Sequence, residues 1–321
     1  MAAFQEQQYA EAVKHFQNAL RTAQRKDPQS QAVAVILTDL AQAQKAQGKT
    51  SEAERTLREA QSVWESAVGE NHFNVAANLT NLGSLLSSQR RYAEAEALFS
   101  RALTIWESVP PADEPPISLA LYNLASVSQA QRHFTRAESL YQRALKRQQD
   151  ELSSTDPQVL RTLSSLAALY QEQGDFAKAL PILAQALTIQ QQTSGRKSQG
   201  VGRSLVDLAE AHEFMGNDAK AEALYREAIT IYEQAEGKHA LPIGQILNTL
   251  AEIYRERGKD SLALEAYQRA LSIYEQALEP NHPDLGQLIE DYANLLRRMG
   301  REEEARPYEE RARTIRLGAN P

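Results

Sequence analysis

An alanine returns along this chain at a fixed step of 42 residues, and this step limits the fold more than any other feature. The residues in register are Ala53, Ala95, Ala137, Ala179, Ala221, Ala263 and Ala305, with Ala12 one residue off. A period of about 20 to 50 residues is typical of proteins that stack one structural unit upon the next. The sequence therefore predicts a solenoid.

Other positions follow the same step. Apolar residues stand 16 and 13 positions before each alanine, in the pairs Leu37/Leu40, Leu79/Leu82, Leu121/Leu124, Leu163/Leu166, Leu205/Leu208, Leu247/Leu250 and Ile289/Tyr292. Between each pair and the alanine stands a glycine or, twice, an arginine: Gly48, Arg90, Arg132, Gly174, Gly216, Gly258 and Gly300. Apolar residues three and four apart line one face of a helix, and glycine adopts the left-handed backbone that ends one. Each unit is therefore predicted to be a helix, a tight turn and a second helix.

Two segments carry a resemblance to a known family. LNTLAEIYRERGKDSLALEAYQRAL (247–271) resembles the tetratricopeptide repeat. The closing segment EPNHPDLGQLIEDYANLLRRMGREEEARPYEERA (279–312) resembles the kinesin light chain type of this repeat, which shares the 42-residue length, the Asn-His-Pro-Asp loop and a proline in the second helix. The resemblance implies an all-α fold, a right-handed superhelical solenoid of tetratricopeptide helix pairs. It also implies a binding scaffold rather than an enzyme, with no catalytic residue and no cofactor.

Pro181 and Pro307 occupy the same slot in two second helices. We expect this slot to lie near the helix start, where backbone N–H groups lack partners and proline loses little.

The register also predicts the domain organisation. We expect one tetratricopeptide repeat domain over residues 1–321, with a leading half repeat at about 4–26, seven full repeats at about 30–317 and a polar cap in the last helix, 301–317. The leading helix lacks its partner, so we expect it to present an apolar face of Ala12, Phe16, Ala19 and Leu20. Since solenoids normally end in a polar cap, we also expect either that the natural protein begins upstream of Met1 or that this leading helix packs on something else.

Composition restricts the partners. The net charge of -7 argues against a nucleic-acid partner, which needs a basic surface. No apolar run of about 18 residues is present to span a membrane. The absence of cysteine removes disulfides and thiolate chemistry but leaves the compartment unknown. A soluble cytoplasmic protein is favoured, and an exported form follows if a leader was removed.

Function in such a solenoid is expected on the concave wall, which the first helices line. Taking the apolar stripe as buried, the inner face falls 13, 9, 6 and 2 residues before each turn residue. The column nine residues before the turn reads Asp39, Asn81, Asn123, Ser165, Asp207, Thr249 and Asp291. Short polar residues are unfavourable inside helices, so their recurrence at this position in all seven repeats requires an explanation. Either these side chains bond the backbone of an extended guest peptide, as the family resemblance implies, or they form a ladder between neighbouring repeats.

The column 13 residues before the turn contains Arg161 and Arg203, one repeat apart. Guanidinium groups pair with carboxylates, which predicts a ligand with acidic or carboxylate groups. The alternative interpretation is that both arginines are only solvated or paired with neighbouring side chains. Glu210, Glu213 and Glu252 make the wall acidic further along. The candidate peptide-binding residues are Asn81, Ser84, Tyr122, Asn123, Ser126, Arg161, Ser165, Arg203, Asp207 and Asn248.

No other motif predicts chemistry. The six histidines lie in separate repeats, without the spacing of a helical metal site, and His72 and His282 share one repeat position, so their recurrence is interpreted as structural. Trp64 and Trp106 also share a position, where they either pack on the next repeat or form an aromatic patch for a partner.

The sequence thus predicts a non-catalytic scaffold that binds an extended peptide or protein segment in its concave groove. One alternative is a self-associating module, forming a homodimer through the leading half repeat. The other is the regulatory or interaction arm of a larger protein whose effector domain lies upstream.

Overall fold

The computed structural model describes residues 2–108, 110 and 116–318 of the chain. These residues form helices and no strand. In chain order the helices are α1 (Ala2–Lys26), α2 (Gln31–Ala46), α3 (Thr50–Val68), α4 (Phe73–Ser88), α5 (Tyr92–Ser108), α6 (Ile117–Ala130), α7 (Phe134–Glu151), α8 (Pro157–Glu172), α9 (Phe176–Ser194), α10 (Gln199–Phe214), α11 (Asp218–Ala235), α12 (Leu241–Glu256), α13 (Asp260–Ala277), α14 (Pro283–Arg298) and α15 (Glu302–Gly318). After α1 they follow as seven pairs, each a first and a second helix of one repeat. The all-α fold is confirmed.

The helices belong to two compact units. The first, Met1–Ser153, contains α1 to α7, and the second, Ser154–Pro321, contains α8 to α15. Within each unit the register alanines lie in the core, and Ala53, Ala95, Ala137, Ala179, Ala221 and Ala263 have no exposed surface. A small side chain at these positions lets the paired helices approach closely. Trp64 and Trp106 are buried as well, which fits packing between repeats and not an exposed patch.

All seven turns between paired helices have the same left-handed backbone. The φ angles lie between 68° and 76° at the five glycines Gly48, Gly174, Gly216, Gly258 and Gly300. Arg90 and Arg132 have φ of 61° and 62°, so these arginines adopt the conformation that glycine provides elsewhere. The turn predicted from the register is confirmed, and repeat geometry is kept even where the side chain makes it unfavourable.

The recurring histidines begin first helices. His72 Nδ1 accepts a hydrogen bond from the backbone N–H of Asn74 at 3.2 Å, and His282 Nδ1 accepts one from Asp284 at the same distance. Asp156, at the same repeat position, caps α8 through its carboxylate. A side-chain acceptor here pairs an N–H group that the helix leaves free. The interpretation that His72 and His282 recur for a structural reason is confirmed.

The proline slot lies further inside its helix than expected. Pro181 is the sixth residue of α9 and Pro307 the sixth of α15. Only the first four N–H groups of a helix lack partners. The expectation that these prolines fall among the free N–H groups is therefore wrong, and each removes one backbone hydrogen bond.

Second helices of neighbouring repeats are joined by a recurring ion pair. In the first unit Glu65 pairs with Arg101 at 2.8 Å and Glu107 with Arg143 at 3.1 Å. In the second unit the pairs are Glu233–Arg269 and Glu275–Arg311. Each arginine follows its glutamate by 36 residues. The pairs connect second helices of neighbouring repeats and do not involve the first helices.

Candidate peptide-binding faces

The first helices present a continuous stripe of accessible side chains within each unit, which we call the first-helix face. It consists of the residues 13, 9, 6 and 2 positions before the turn residue, on α2, α4 and α6 in the first unit and on α8, α10, α12 and α14 in the second. None of these residues is buried. The stripe that the register assigns to a surface is therefore open for contact in both units.

The polar column nine residues before the turn is half-buried at all seven positions. In the first unit the side chains of Asp39, Asn81 and Asn123 make no hydrogen bond or ion pair within the described part of the chain. A ladder between repeats does not account for these three residues. In the second unit Asp291 does bridge repeats, since Arg255 of the preceding first helix lies 3.6 Å away. The ladder interpretation therefore applies at Asp291 and not at Asp39, Asn81 or Asn123, where binding of a guest peptide stays a prediction.

The remaining candidates of the first unit lie beside these amides. Asn81 lines a small cavity of about 110 Å³ together with Val35 and Asp39. Ser84 is half-buried and Ser126 exposed. The ring of Tyr122 packs against Tyr141, with ring centroids 5.6 Å apart. This face therefore offers amides, hydroxyls and one aromatic edge, and no charge other than Asp39 at the column itself.

In the second unit Arg161 and Arg203 are exposed and Ser165 is half-buried. Burial raises the pKa of Asp207, and the positive charge of Arg203, one helical turn earlier, partly offsets this. Arg203 therefore already acts on a carboxylate of its own helix. Asn248 donates its side-chain N–H to Glu252 Oε1 at 2.9 Å, and its carbonyl oxygen is buried without a partner among the described residues.

Carboxylates dominate the face from α10 onwards. Burial raises the pKa of Glu210, and the charges of Asp207 and Glu213 raise it further. Burial also raises the pKa of Glu213, although a hydrogen bond from the Tyr225 hydroxyl at 2.9 Å partly opposes this. Burial also raises the pKa of Glu252, and the charge of Asp291 raises it further. The acidic character expected from the sequence is present, and the carboxylates repel one another.

Two features of the first helices escaped the sequence reasoning. Phe214 is 70% exposed, although its ring stacks on Phe176 with centroids 4.4 Å apart. The sequence does indicate it, because Phe214 is an aromatic residue at a repeat position, two residues before the turn, that otherwise holds small or charged residues. The second feature is a 42-residue step of Gly202, Gly244 and Gly286, where second-helix side chains lie so close that an added Cβ would meet them at 3.0 Å or less.

The family model of the tetratricopeptide repeat matches residues 1–66, 52–108, 116–192, 162–234 and 242–317. The chain belongs to the tetratricopeptide repeat family. The matches cover both units, in agreement with the helix pairs and the recurring turn. No curated protein matches the chain in sequence.

Several solved structures share the fold of this tetratricopeptide repeat chain. BtubC (BKLC) from P. vanneervenii is 24% identical over 71% of this chain and 92% of its own, with a TM-score of 0.58. A putative kinesin light chain from Podosopora anserina, with nearly identical TPR-like repeats, is 21% identical over 62% of this chain and 94% of its own, with a TM-score of 0.56. Aspartyl phosphate phosphatase F from Bacillus subtilis is 14% identical over 92% of this chain and 73% of its own, with a TM-score of 0.57. These similarities agree with an all-α solenoid and with repeats like those of the kinesin light chain.

The leading helix of the repeat array exposes less apolar surface than expected. Val13 is buried against α2, and Ala12, Phe16 and Leu20 are half-buried around it. Ala19 is exposed. Self-association through this helix stays a prediction.

Within the described residues of this repeat protein no group of three or more histidine, aspartate or glutamate side chains is arranged to hold a metal ion. No described helix is both long and apolar enough to cross a membrane. Repeats of this kind are protein-interaction scaffolds.

Proposed function

We propose that this chain is a non-catalytic scaffold that binds an extended peptide or protein segment in a concave groove lined by the first-helix faces. The observation that carries the proposal is the state of the polar column in the first unit. Asn81 and Asn123 are accessible, and their amides have no partner among the described residues. An asparagine inside a helix makes that helix less stable by about 0.5 kcal/mol than an alanine would. No contact of these two amides within the described residues offsets this cost.

An asparagine side chain suits a guest backbone because it offers both a donor and an acceptor. An extended segment exposes N–H and C=O groups at every residue. Two asparagines at the same position of neighbouring repeats supply such contacts at a regular interval. The proposed contacts are therefore to the guest backbone, which gives affinity with little demand on guest sequence.

The proposal includes a charged contact in the second unit. Arg161 and Arg203 are exposed at the same position of neighbouring repeats, which supports pairing with a carboxylate of the guest. The charge of Arg203 already acts on Asp207 of its own helix, so a guest carboxylate competes with Asp207 for Arg203.

The test is capture of partners by the full-length protein from a native lysate, followed by affinity measurement with each captured protein. We expect Asn81→Ala with Asn123→Ala to weaken capture, since each lost hydrogen bond contributes about 0.5 to 1.5 kcal/mol. The matched control is Gln17→Ala with Gln149→Ala, which removes two exposed amides from α1 and α7. Equal capture by both double variants would reject the proposal.

The charged contact has its own test. Arg161→Glu with Arg203→Glu should weaken the same partner further, and raising the salt concentration should reduce the difference between this variant and the wild type. An unchanged affinity after this double charge reversal would remove the acidic-ligand part of the proposal.

A further inference from the structure

A cavity of about 430 Å³ lies among α11, α12 and α13 in the second unit. Its apolar lining consists of Ile229, Leu247, Leu250, Leu262 and Ala266. Ligand-binding pockets of proteins have volumes of about 300 to 1,000 Å³ and are lined mostly by apolar side chains. The volume and the lining of this cavity are therefore those of a pocket that can hold a guest group.

A small residue at one repeat position explains why the cavity is open. In the other six repeats the position of Ala266 holds a larger residue: Thr56, Leu98, Leu140, Ile182, Leu224 and Tyr308. Leu247 lines the same cavity and keeps 7% of its surface exposed, whereas the residues at its position in the other six repeats are at most 1% exposed. The side chain that is missing at Ala266 thus leaves an apolar surface accessible that the other repeats cover.

A second departure from the repeat lies at the edge of the same cavity. The position of Leu262 holds a charged residue in all other repeats: Glu52, Glu94, Arg136, Lys178, Lys220 and Glu304. Leu262 is 38% exposed, and it precedes Ala266 by four residues, so both lie on one face of α13. Covering an exposed apolar side chain is favourable. Two independent sequence changes therefore meet at one cavity, of which one opens it and the other makes its edge apolar.

The charged residues around the cavity leave one carboxylate unpaired. Glu233 pairs with Arg269, and Arg226 pairs with Glu222 at 3.0 Å. Glu265 also lines the cavity, is exposed, and makes no ion pair or hydrogen bond within the described part of the chain. The cavity therefore combines an apolar interior with one free negative charge at its edge.

We propose that this cavity binds a leucine side chain, or one of similar size, of a partner protein that carries a lysine or arginine beside it. The apolar side chain fills the volume that Ala266 leaves and covers Leu247 and Leu262, while the basic residue pairs with Glu265. A second copy of this chain is disfavoured as the occupant, because each copy has a net charge of -7. The inference goes beyond the proposed function, since no residue that lines the cavity belongs to the first-helix face.

The experiment uses the full-length chain with one engineered thiol, since the chain contains no cysteine. Thr230 is exposed and lines the cavity, so Thr230→Cys places a thiol at its edge. The probes are leucyl-cysteamine, with an isobutyl side chain and an ammonium group, alanyl-cysteamine, which lacks the large apolar group, and N-acetyl-leucyl-cysteamine, which lacks the charge. Each probe competes with 2-mercaptoethanol for disulfide exchange with the protein, and mass spectrometry of the intact chain measures the captured fraction at equilibrium.

We expect the Thr230→Cys protein to capture leucyl-cysteamine about tenfold better than alanyl-cysteamine, since the isobutyl group leaves water in the cavity. It should capture leucyl-cysteamine about threefold better than the acetylated probe, the effect of one surface ion pair. The matched control is Thr188→Cys, at the same repeat position on α9, where Leu224 occupies the slot of Ala266. Thr188 and Thr230 are both exposed, and each donates a hydrogen bond to the carbonyl four residues earlier. The control should capture the leucyl and alanyl probes within about twofold of each other.

Two further variants of the Thr230→Cys protein test the lining. Ala266→Leu fills the cavity with the residue that three other repeats carry, and it should reduce the preference for the leucyl over the alanyl probe to about twofold or less. Leu262→Lys removes the apolar edge and should reduce this preference as well, without depending on how well a leucine packs at position 266. Glu265→Gln should keep the preference for leucine and abolish the advantage of leucyl-cysteamine over its acetylated form.

An equal preference for the leucyl probe in the Thr230→Cys and Thr188→Cys proteins would overturn the proposal. Full preference after Ala266→Leu, in a protein whose melting temperature is at or above that of Thr230→Cys, would overturn it too. If Ala266→Leu lowers the melting temperature, full preference after Leu262→Lys is the result that rejects the cavity. Equal capture of the acetylated and free leucyl probes would reject the pairing of Glu265 with a basic residue.

Discussion

Replacing Arg90 by glycine should stabilise the first unit, although it removes an entire side chain. Arg90 holds a φ of 61°, where a residue with a Cβ is strained by about 1 to 2 kcal/mol. Glycine removes this strain but makes the unfolded chain more flexible, which costs about 0.4 to 1 kcal/mol. The Arg90 side chain is exposed and makes no hydrogen bond or ion pair in the described part of the chain. The expected gain for Arg90→Gly is therefore about 0.5 to 1 kcal/mol.

Arg132 provides an internal comparison, because its φ of 62° is the same but its side chain has a contact. The Arg132 guanidinium lies 5.3 Å from the centre of the Phe134 ring. A cation over an aromatic ring at an exposed site contributes about 0.5 to 1 kcal/mol. Losing this contact should cancel most of the gain from the relaxed backbone. We therefore expect Arg132→Gly to leave stability nearly unchanged.

Unfolding of the first unit can be followed separately, since both tryptophans, Trp64 and Trp106, lie in it and are buried. Urea titrations read by tryptophan fluorescence should place Arg90→Gly above the wild type and Arg132→Gly close to it. Gly48→Ala is the opposite substitution, since it adds a Cβ at a left-handed position. No atom lies within 4 Å of that Cβ, so a steric clash does not contribute to the result. It should lower stability by about 0.5 to 1 kcal/mol through strain alone. A midpoint for Arg90→Gly at or below that of the wild type would refute the reasoning.

Three further predictions concern the packing of the second unit and the pH dependence of stability. Gly244→Ala should destabilise the second unit by about 1 to 3 kcal/mol, because the added Cβ would lie 2.8 Å from the Tyr274 ring, and an unchanged thermal midpoint would contradict this. For Glu210 the folded state binds the proton more tightly than the unfolded chain does, so Glu210→Gln should raise stability at neutral pH and lose this gain below the ordinary pKa of 4.5. For Glu54 burial tends to raise the pKa, but hydrogen bonds from Arg91 and Arg58 outweigh it and hold the pKa below 4.5, so Glu54→Gln should lower stability at neutral pH and its effect should fade as the pH falls. Denaturant titrations at several pH values would check both signs, and a same-sign result for the two variants would contradict the assignment.

The register made much of the fold predictable. Positions such as Gly174 and Arg132 could be assigned to one left-handed turn because a solenoid places every repeat in the same local environment. The accessible stripe containing Asn81 and Asn123 followed from the same periodicity. These are properties of a single repeat, and the 42-residue step states them directly.

Features that depend on a particular pair of residues were not predictable in this way. The hydroxyl of Tyr267 has no partner among the described residues, whereas Tyr141 and Tyr225 each donate to a side chain 12 residues earlier, and the 42-residue step does not show this difference. The division after Ser153 has no counterpart in the sequence, since the alanine step runs from Ala137 to Ala179 without interruption. The slot of Pro181 was misjudged because the helix starts earlier than the register alone suggests.

The ion pairs between second helices have a consequence for how such a chain can change in length. Each pair joins a glutamate of one repeat to an arginine 36 residues later in the next repeat, as Glu233 with Arg269 and Glu275 with Arg311 show. Deleting residues 234–275, one repeat of 42 residues, would bring Arg311 opposite Glu233 and leave neither charge without a partner. Duplication or loss of this whole repeat can therefore lengthen or shorten the array while the ion pair between second helices is kept.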